Sequence, residues 1–226
     1  MPALLRLTAT ETELFFRELI VVFFVLAFSP ILLVILGLIP SMRESNADLG
    51  GVRLITLYLP IVISMGISLF SLSGLSQLFA YYREKGVLRR MRTTPVKPSV
   101  MLGAQLLMAT VLSISTMLIM VAIGHFAFDV EFPQHLPAFL ISFLLLALAL
   151  FAIGLLVAAL APSSKSASAI GSLVFFPLVF FAGLWLPRAS MNKVLLTISD
   201  LTPLGAGVQR YRTPPPVTGR NYCTWA

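Results

Sequence analysis

An all-α integral membrane helical bundle is the fold class that three observations predict. The 226-residue chain is 58% hydrophobic and only 11% charged, less than half of the roughly 25% charge that soluble domains carry. Five stretches, each of 19 residues or more, contain no Asp, Glu, Lys or Arg. Within them, runs such as Leu144 to Phe151 are apolar throughout, whereas a barrel strand would alternate lipid-facing and lumen-facing residues. Helices and closed barrels alone satisfy their backbones in lipid, so continuous apolar runs leave helices.

The first span is expected from Leu19 to Ile39. It is too long for the apolar core of a signal peptide, it follows the acidic Glu11, Glu13 and Glu18, and Ile39-Pro40-Ser41 is a poor cleavage sequence, so it is expected to stay in the mature protein. Before it, Leu4, Leu7, Leu14 and Phe15 share one helical face, with Arg6, Glu11, Glu13 and Arg17 around the rest. That pattern fits an amphipathic helix lying on the cytoplasmic leaflet, with a frayed terminus as the alternative. Further spans are expected from Leu54 to Ala80, Met101 to Phe128, Pro137 to Ala161 and Ala169 to Pro187. At about 1.5 Å per residue they match a hydrocarbon core of roughly 30 Å. Pro30, Pro60 and Pro177 fall in or near span interiors, where a missing N–H bends a helix.

Orientation follows from the basic residues of the short loops. Six Lys and Arg lie between Tyr81 and Val100, none between Asp129 and Leu136, and one, Lys165, between Pro162 and Ser168. The basic loop is expected in the cytoplasm, with the amino terminus and Lys165 on the same side. Tyr58 and Trp185 then fall near the outer interface, and Tyr81 and Tyr82 near the inner one, where amphipathic rings settle.

Several chemistries are disfavoured. No Lys follows Gly and precedes Ser or Thr, as a nucleotide-binding P-loop requires. No span carries the intramembrane charge typical of ion-coupled carriers, which costs at least roughly 2.5–3.5 kcal/mol at the bilayer centre. His125 lies about one turn from a span end, where a locally capped imidazole outweighs a proton relay. Two histidines without the His-Glu-x-x-His pattern disfavour a zinc protease. Cys223, alone, excludes an internal disulfide and a cysteine metal cluster. The net charge of +7 reads as retained cytoplasmic loops rather than nucleic-acid affinity.

Two patterns carry functional content. The loop from Tyr82 to Pro98 has six basic residues and one acid. In it Val87, Leu88 and Met91 make an apolar ridge on a short helix, beside a basic face of Arg89, Arg90 and Arg92, and Pro95 ends it. Such a segment anchors topology, lies on anionic lipid or enters a partner's groove. The second pattern is a stripe of hydroxyls, Ser64, Ser68 and Ser71, with Thr110 and Ser113 on the next span. It is a possible substrate path, although close helix packing through small polar residues, as at Gly154 and Ala158, weighs more.

The run Arg-Glu-Lys-Gly-Val-Leu-Arg-Arg-Met-Arg-Thr-Thr-Pro-Val at 83–96 resembles the first cytoplasmic loop of type-2 ATP-binding-cassette permeases, in particular the daunorubicin-resistance-like multidrug exporters. The order of elements is similar too. It runs from an amphipathic start through two spans, this loop and more spans to Phe180-Phe181-Ala182-Gly183-Leu184-Trp185-Leu186-Pro187, then Ile198-Ser199-Asp200-Leu201-Thr202-Pro203-Leu204. The resemblance covers about residues 3 to 209. It implies a permease subunit of an exporter for amphipathic drugs or antibiotics in the bacterial inner membrane. The chain would not be an enzyme and would bind no cofactor, because ATP and Mg2+ would sit on a separate ATPase subunit. Partners would be that ATPase, a second permease in a homodimer or pseudo-dimer, and the lipid bilayer. It also implies coupling to the ATPase through Glu84, Gly86, Leu88, Arg89, Arg90 and Pro95, to which Met91 is added by the apolar ridge. Lipid or saccharide export, and a non-transporting membrane scaffold, are the rival readings.

The carboxyl-terminal part departs from that family. A transmembrane domain is expected over 1–209 and a polar, disordered tail over 210–226, where Thr213-Pro214-Pro215-Pro216 replaces the sixth span that the family normally has. A truncated or frame-shifted end, or a five-span variant whose tail lies outside, are the two expectations.

Overall fold

A computed structural model of the chain describes residues 23–44, 53–87, 98–130, 136–184, 192–202 and 204. Among them there is no strand, and the protein is an all-α membrane bundle. A π-helical turn, Phe23–Ala27, leads into α1 (Phe28–Leu38). Ile39 is extended (φ −75°, ψ 118°), as a residue before proline must be, and Pro40 opens the short α2 (Pro40–Arg43) at the position where no N–H is needed. Helix α3 (Leu54–Leu69) passes through a π segment, Phe70–Leu75, into α4 (Ser76–Glu84) without a break. Then come α5 (Pro98–Phe128), α6 (Leu136–Leu160), α7 (Ser164–Ala182) and α8 (Lys193–Leu201).

Among the described residues, four helices are long and apolar enough to cross a membrane: Leu54–Glu84, Ser99–Phe128, Pro137–Leu160 and Ser164–Ala182. They correspond to the second through fifth expected spans, with shifted bounds. The second runs on past Ala80 through the charged Arg83 and Glu84. The fifth, expected from Ala169, begins at Ser164 and takes Lys165 into its first turn. Ser163 is the reason. Its hydroxyl accepts from the Ser166 N–H at 3.2 Å while its own N–H donates to Ser166 Oγ at 2.9 Å, a reciprocal cap that starts the helix there. Of the first expected span, Phe23 to Leu38 is helical and its beginning, 19–22, lies outside the described residues, as do the amphipathic amino-terminal helix and the 210–226 tail.

The chain divides into two compact units. One includes Ile67–Thr116 and Ala147–Phe175. Its interior holds Phe70, Leu72, Leu75, Ala104, Met108, Leu150 and Phe151, and small residues close it where Ala80, Ala161 and Ala167 meet beside Ile170. The other includes Phe28–Gly66 and Met117–Leu146, with Leu33, Ile55, Ile61, Val62, Met120 and Phe143 inside. Leucines of α6 at 140, 145, 148, 156 and 160 are exposed, the face such a helix gives to lipid.

Two glycines set the closest approach in the first unit. A Cβ on Gly154 of α6 would collide with the Ser71 carbonyl, and one on Gly171 of α7 with the Leu72 carbonyl. Both carbonyls belong to the π segment. There the Ser76 N–H reaches back five residues to Ser71 O, the wider turn that defines a π-helix. Ser71 Oγ donates across to Leu150 O of α6 at 2.5 Å, and Ser76 Oγ donates to Leu72 O.

Candidate functional site

The basic loop leaves the second span at its charged end. Helix α4 closes with Lys85 N–H donating to Tyr81 O at 2.9 Å and Gly86 N–H to Arg83 O at 3.1 Å. Gly86 has φ +67° and nothing within 4 Å of where a Cβ would be, so its requirement is the left-handed backbone rather than space. Lys85 Nζ lies 5.7 Å from the exposed Tyr81 ring, a cation–π contact. Val87 is half-buried. Leu88, Arg89, Arg90, Met91 and Pro95 lie outside the described residues.

The two residues just before the loop reach across to the turn between α6 and α7. Arg83 Nη1 donates to Ala159 O at 2.7 Å and Nη2 to Ala161 O. The guanidinium thus covers carbonyls at the end of α6 that have no intrahelical partner. Beside it, Glu84 Oε2 accepts from both the N–H and the hydroxyl of Ser164, each at 3.0 Å. Ser164 is the first residue of α7, so the carboxylate sits at the positive end of that helix while the cation sits at the negative end of α6, the favourable sense for each helix dipole. Sequence reasoning placed Glu84 with the loop and missed Arg83, Ser163 and Ser164. The visible signal was Ser163-x-x-Ser166, a capping pattern inside a segment read as a loop.

The hydroxyl stripe is inside the protein. Ser64, Ser68 and Ser71 are fully buried and Ser113 nearly so, while Thr110 is half-buried. Ser64 Oγ donates to Pro60 O and Thr110 Oγ1 to Leu106 O, both at 2.7 Å and both one turn back along their own helices. Ser71, as above, bridges to α6. The first two bonds stay within one helix, and the Ser71 bond crosses between packed helices. Gln105, which sequence reasoning did not single out, is 0% exposed, and among the described residues neither of its amide atoms has a partner.

At other helix ends the polar groups meet backbone carbonyls. His125 Nδ1 lies 3.1 Å from Val130 O, the cap expected of a histidine near a span end. Ser199 of α8 is buried and donates to Phe181 O at 2.6 Å. Among the described residues, no group of three His, Cys, Asp or Glu is placed to hold a metal ion.

Four long apolar helices, with charges confined to their ends, define a multi-pass α-helical membrane protein. The chain belongs to the ABC-2 type transporter family, whose model matches residues 3–213. It is therefore a membrane permease of the ATP-binding-cassette type rather than a catalyst. No curated protein and no solved structure matches it.

Proposed function

We propose that the chain is the permease subunit of a bacterial exporter for amphipathic drugs or antibiotics, driven by a separate ATPase subunit that binds ATP and Mg2+ and docks on the loop from Tyr81 to Val100. The family match over residues 3–213 carries this reading. The loop's composition supports the docking role: Leu88 and Met91 supply an apolar anchor, Arg89 and Arg90 a charged rim, and anchors with polar surrounds hold most interface energy. Gly86 and Pro95 bound the docking segment, and Glu84 belongs to its root. Spans without a fixed charge favour an amphipathic cargo over an ion. Two permeases, as a homodimer or pseudo-dimer in the inner membrane with cytoplasmic amino termini, would enclose the path. Within it the hydroxyls of Ser64, Ser68, Ser71, Thr110 and Ser113 would become accessible only when the helices part. Residues 1–209 are the transport domain and 210–226 a tail outside it.

The decisive experiment is purification of the tagged full chain from its host membrane. An ATPase subunit should accompany it, and Leu88→Asp should reduce that ATPase roughly thirtyfold, the ratio that a loss of about 2 kcal/mol at an anchor produces. Undiminished copurification would refute the docking assignment. Purification without any ATPase would favour a membrane scaffold.

A further inference from the structure

We infer that Arg83 and Glu84 act as positioning residues that fasten the coupling loop to the α6–α7 hairpin, so that movement of the loop is delivered to α6 and α7 rather than absorbed by the second span. The inference rests on the reading of residues 81–100 as the coupling loop. The geometry of the joint is independent of that reading.

Adjacent residues on one helix hold two different helices. Arg83 grips the last carbonyls of α6 through Ala159 and Ala161, and Glu84 grips the first amide and hydroxyl of α7 through Ser164. A cap serves one helix end. Here opposite charges serve two ends at once, and both lie within three residues of Gly86, where the loop begins. A displacement of the loop therefore reaches the α6–α7 turn through at least four hydrogen bonds before it reaches the next turn of α4.

The other end of this stretch is held to the same two helices. Gly154 of α6 and Gly171 of α7 lie against the Ser71 and Leu72 carbonyls, where no Cβ fits, and Ser71 Oγ bonds Leu150 O. Sliding of the stretch along α6 or α7 would lift these carbonyls off their glycines and break the Ser71 bond. With both ends attached, the stretch from Phe70 to Glu84 moves together with the hairpin. Packed interfaces of this kind shift between discrete arrangements rather than deform gradually.

The test uses the full chain with the ATPase that copurifies with it, in lipid nanodiscs, with Cys223→Ser and a bimane fluorophore on Ala169→Cys, an exposed position of α7. Addition of ATP and Mg2+ should change the fluorescence, and Leu88→Asp should abolish the change and reduce the bound ATPase roughly thirtyfold. Arg83→Gln with Ser164→Ala should retain the ATPase and reduce the change at least fivefold, a separation that general destabilisation would not produce. Because that variant risks misfolding, a second one carries Glu84→Cys and Ser164→Cys, joined by a short bis-methanethiosulfonate, and it and its parent take the fluorophore at Ala169 as a genetically encoded fluorescent amino acid, so that the pair supplies the reacting thiols. Its response should be small when open and return to within twofold of the parent when bridged. A full response in Arg83→Gln with Ser164→Ala, or one indifferent to the bridge, would overturn the joint while leaving the docking assignment intact. A response that survives Leu88→Asp, or a parent that shows none, would overturn both.

Discussion

Arginines cover helix carboxyl ends in two regions of this protein, and the regions differ in what else is held. At the loop, Arg83 makes two bonds to α6, and its neighbour Glu84 adds a second helix, α7. At the end of α5, Arg53 Nη1 reaches Phe128 O at 3.4 Å, and Arg43 stacks 5.0 Å from the Phe128 ring centre while donating to Gly37 O. There Arg53 alone covers the α5 carbonyl, Arg43 covers a carbonyl of α1 while resting on the Phe128 ring, and no carboxylate takes part among the described residues. The first arrangement is a joint of opposite charges, whereas in the second Arg53 is a stopper on a single carbonyl. The contrast teaches that the sign and adjacency of charges at a helix end decide whether it can pass on a force or merely ends a helix.

Sidedness is the sharpest way to break this comparison, because a joint for a cytoplasmic ATPase must face the cytoplasm. In a Cys223→Ser background, a cysteine at Ser99 should resist an impermeant maleimide in intact cells, whereas one at Gln134 should react fully. The reverse pattern would put the joint on the wrong side.

Next in size is the glycine seat. Gly171→Ala pushes a Cβ into the Leu72 carbonyl, and because a backbone atom cannot step aside as a side chain can, a loss of about 1–3 kcal/mol is expected. Thermal unfolding in detergent would register it, and an unchanged midpoint would mean that α7 is not seated there. Ser199→Ala removes a buried hydroxyl bond to Phe181 O and should cost about 1 kcal/mol in the same assay. The smallest effect belongs to the stopper: Arg53→Met loses one long bond from an exposed side chain and should stay within about 0.5 kcal/mol. A larger loss there would erase the distinction drawn between the two regions.

Hydropathy located the second through fifth spans well, because lipid enforces long uncharged runs and leaves little choice of partner. It misplaced the start of α7, since a rule that stops at charges ends a segment at Lys165, whereas the helix begins wherever its first amides find acceptors, at Ser163 and Glu84. The joint was illegible for a different reason. Arg83 and Glu84 stand next to each other in the sequence, but their partners lie 76 to 80 residues away, and no local periodicity reports on them. Family resemblance drew attention to the loop that leaves this joint, from its motif alone. Gly154 stood out as a packing residue, but nothing about its neighbours announced that it faces a π turn.

That π turn also determines rotational phase. A segment closed by an i to i−5 bond, as between Ser76 and Ser71, holds one residue more than an α-helical path of the same span, and each residue of an α-helix advances the azimuth by about 100°. Every side chain from Ser76 onward is therefore turned by nearly a third of a revolution relative to a second span wound as α-helix throughout. Arg83 and Glu84 point at the α6–α7 turn only after that rotation. Deleting a single residue between Phe70 and Leu75 would leave the helix apolar and long enough to cross the bilayer, yet would swing both charges away from Ala159, Ala161 and Ser164 without altering either of them.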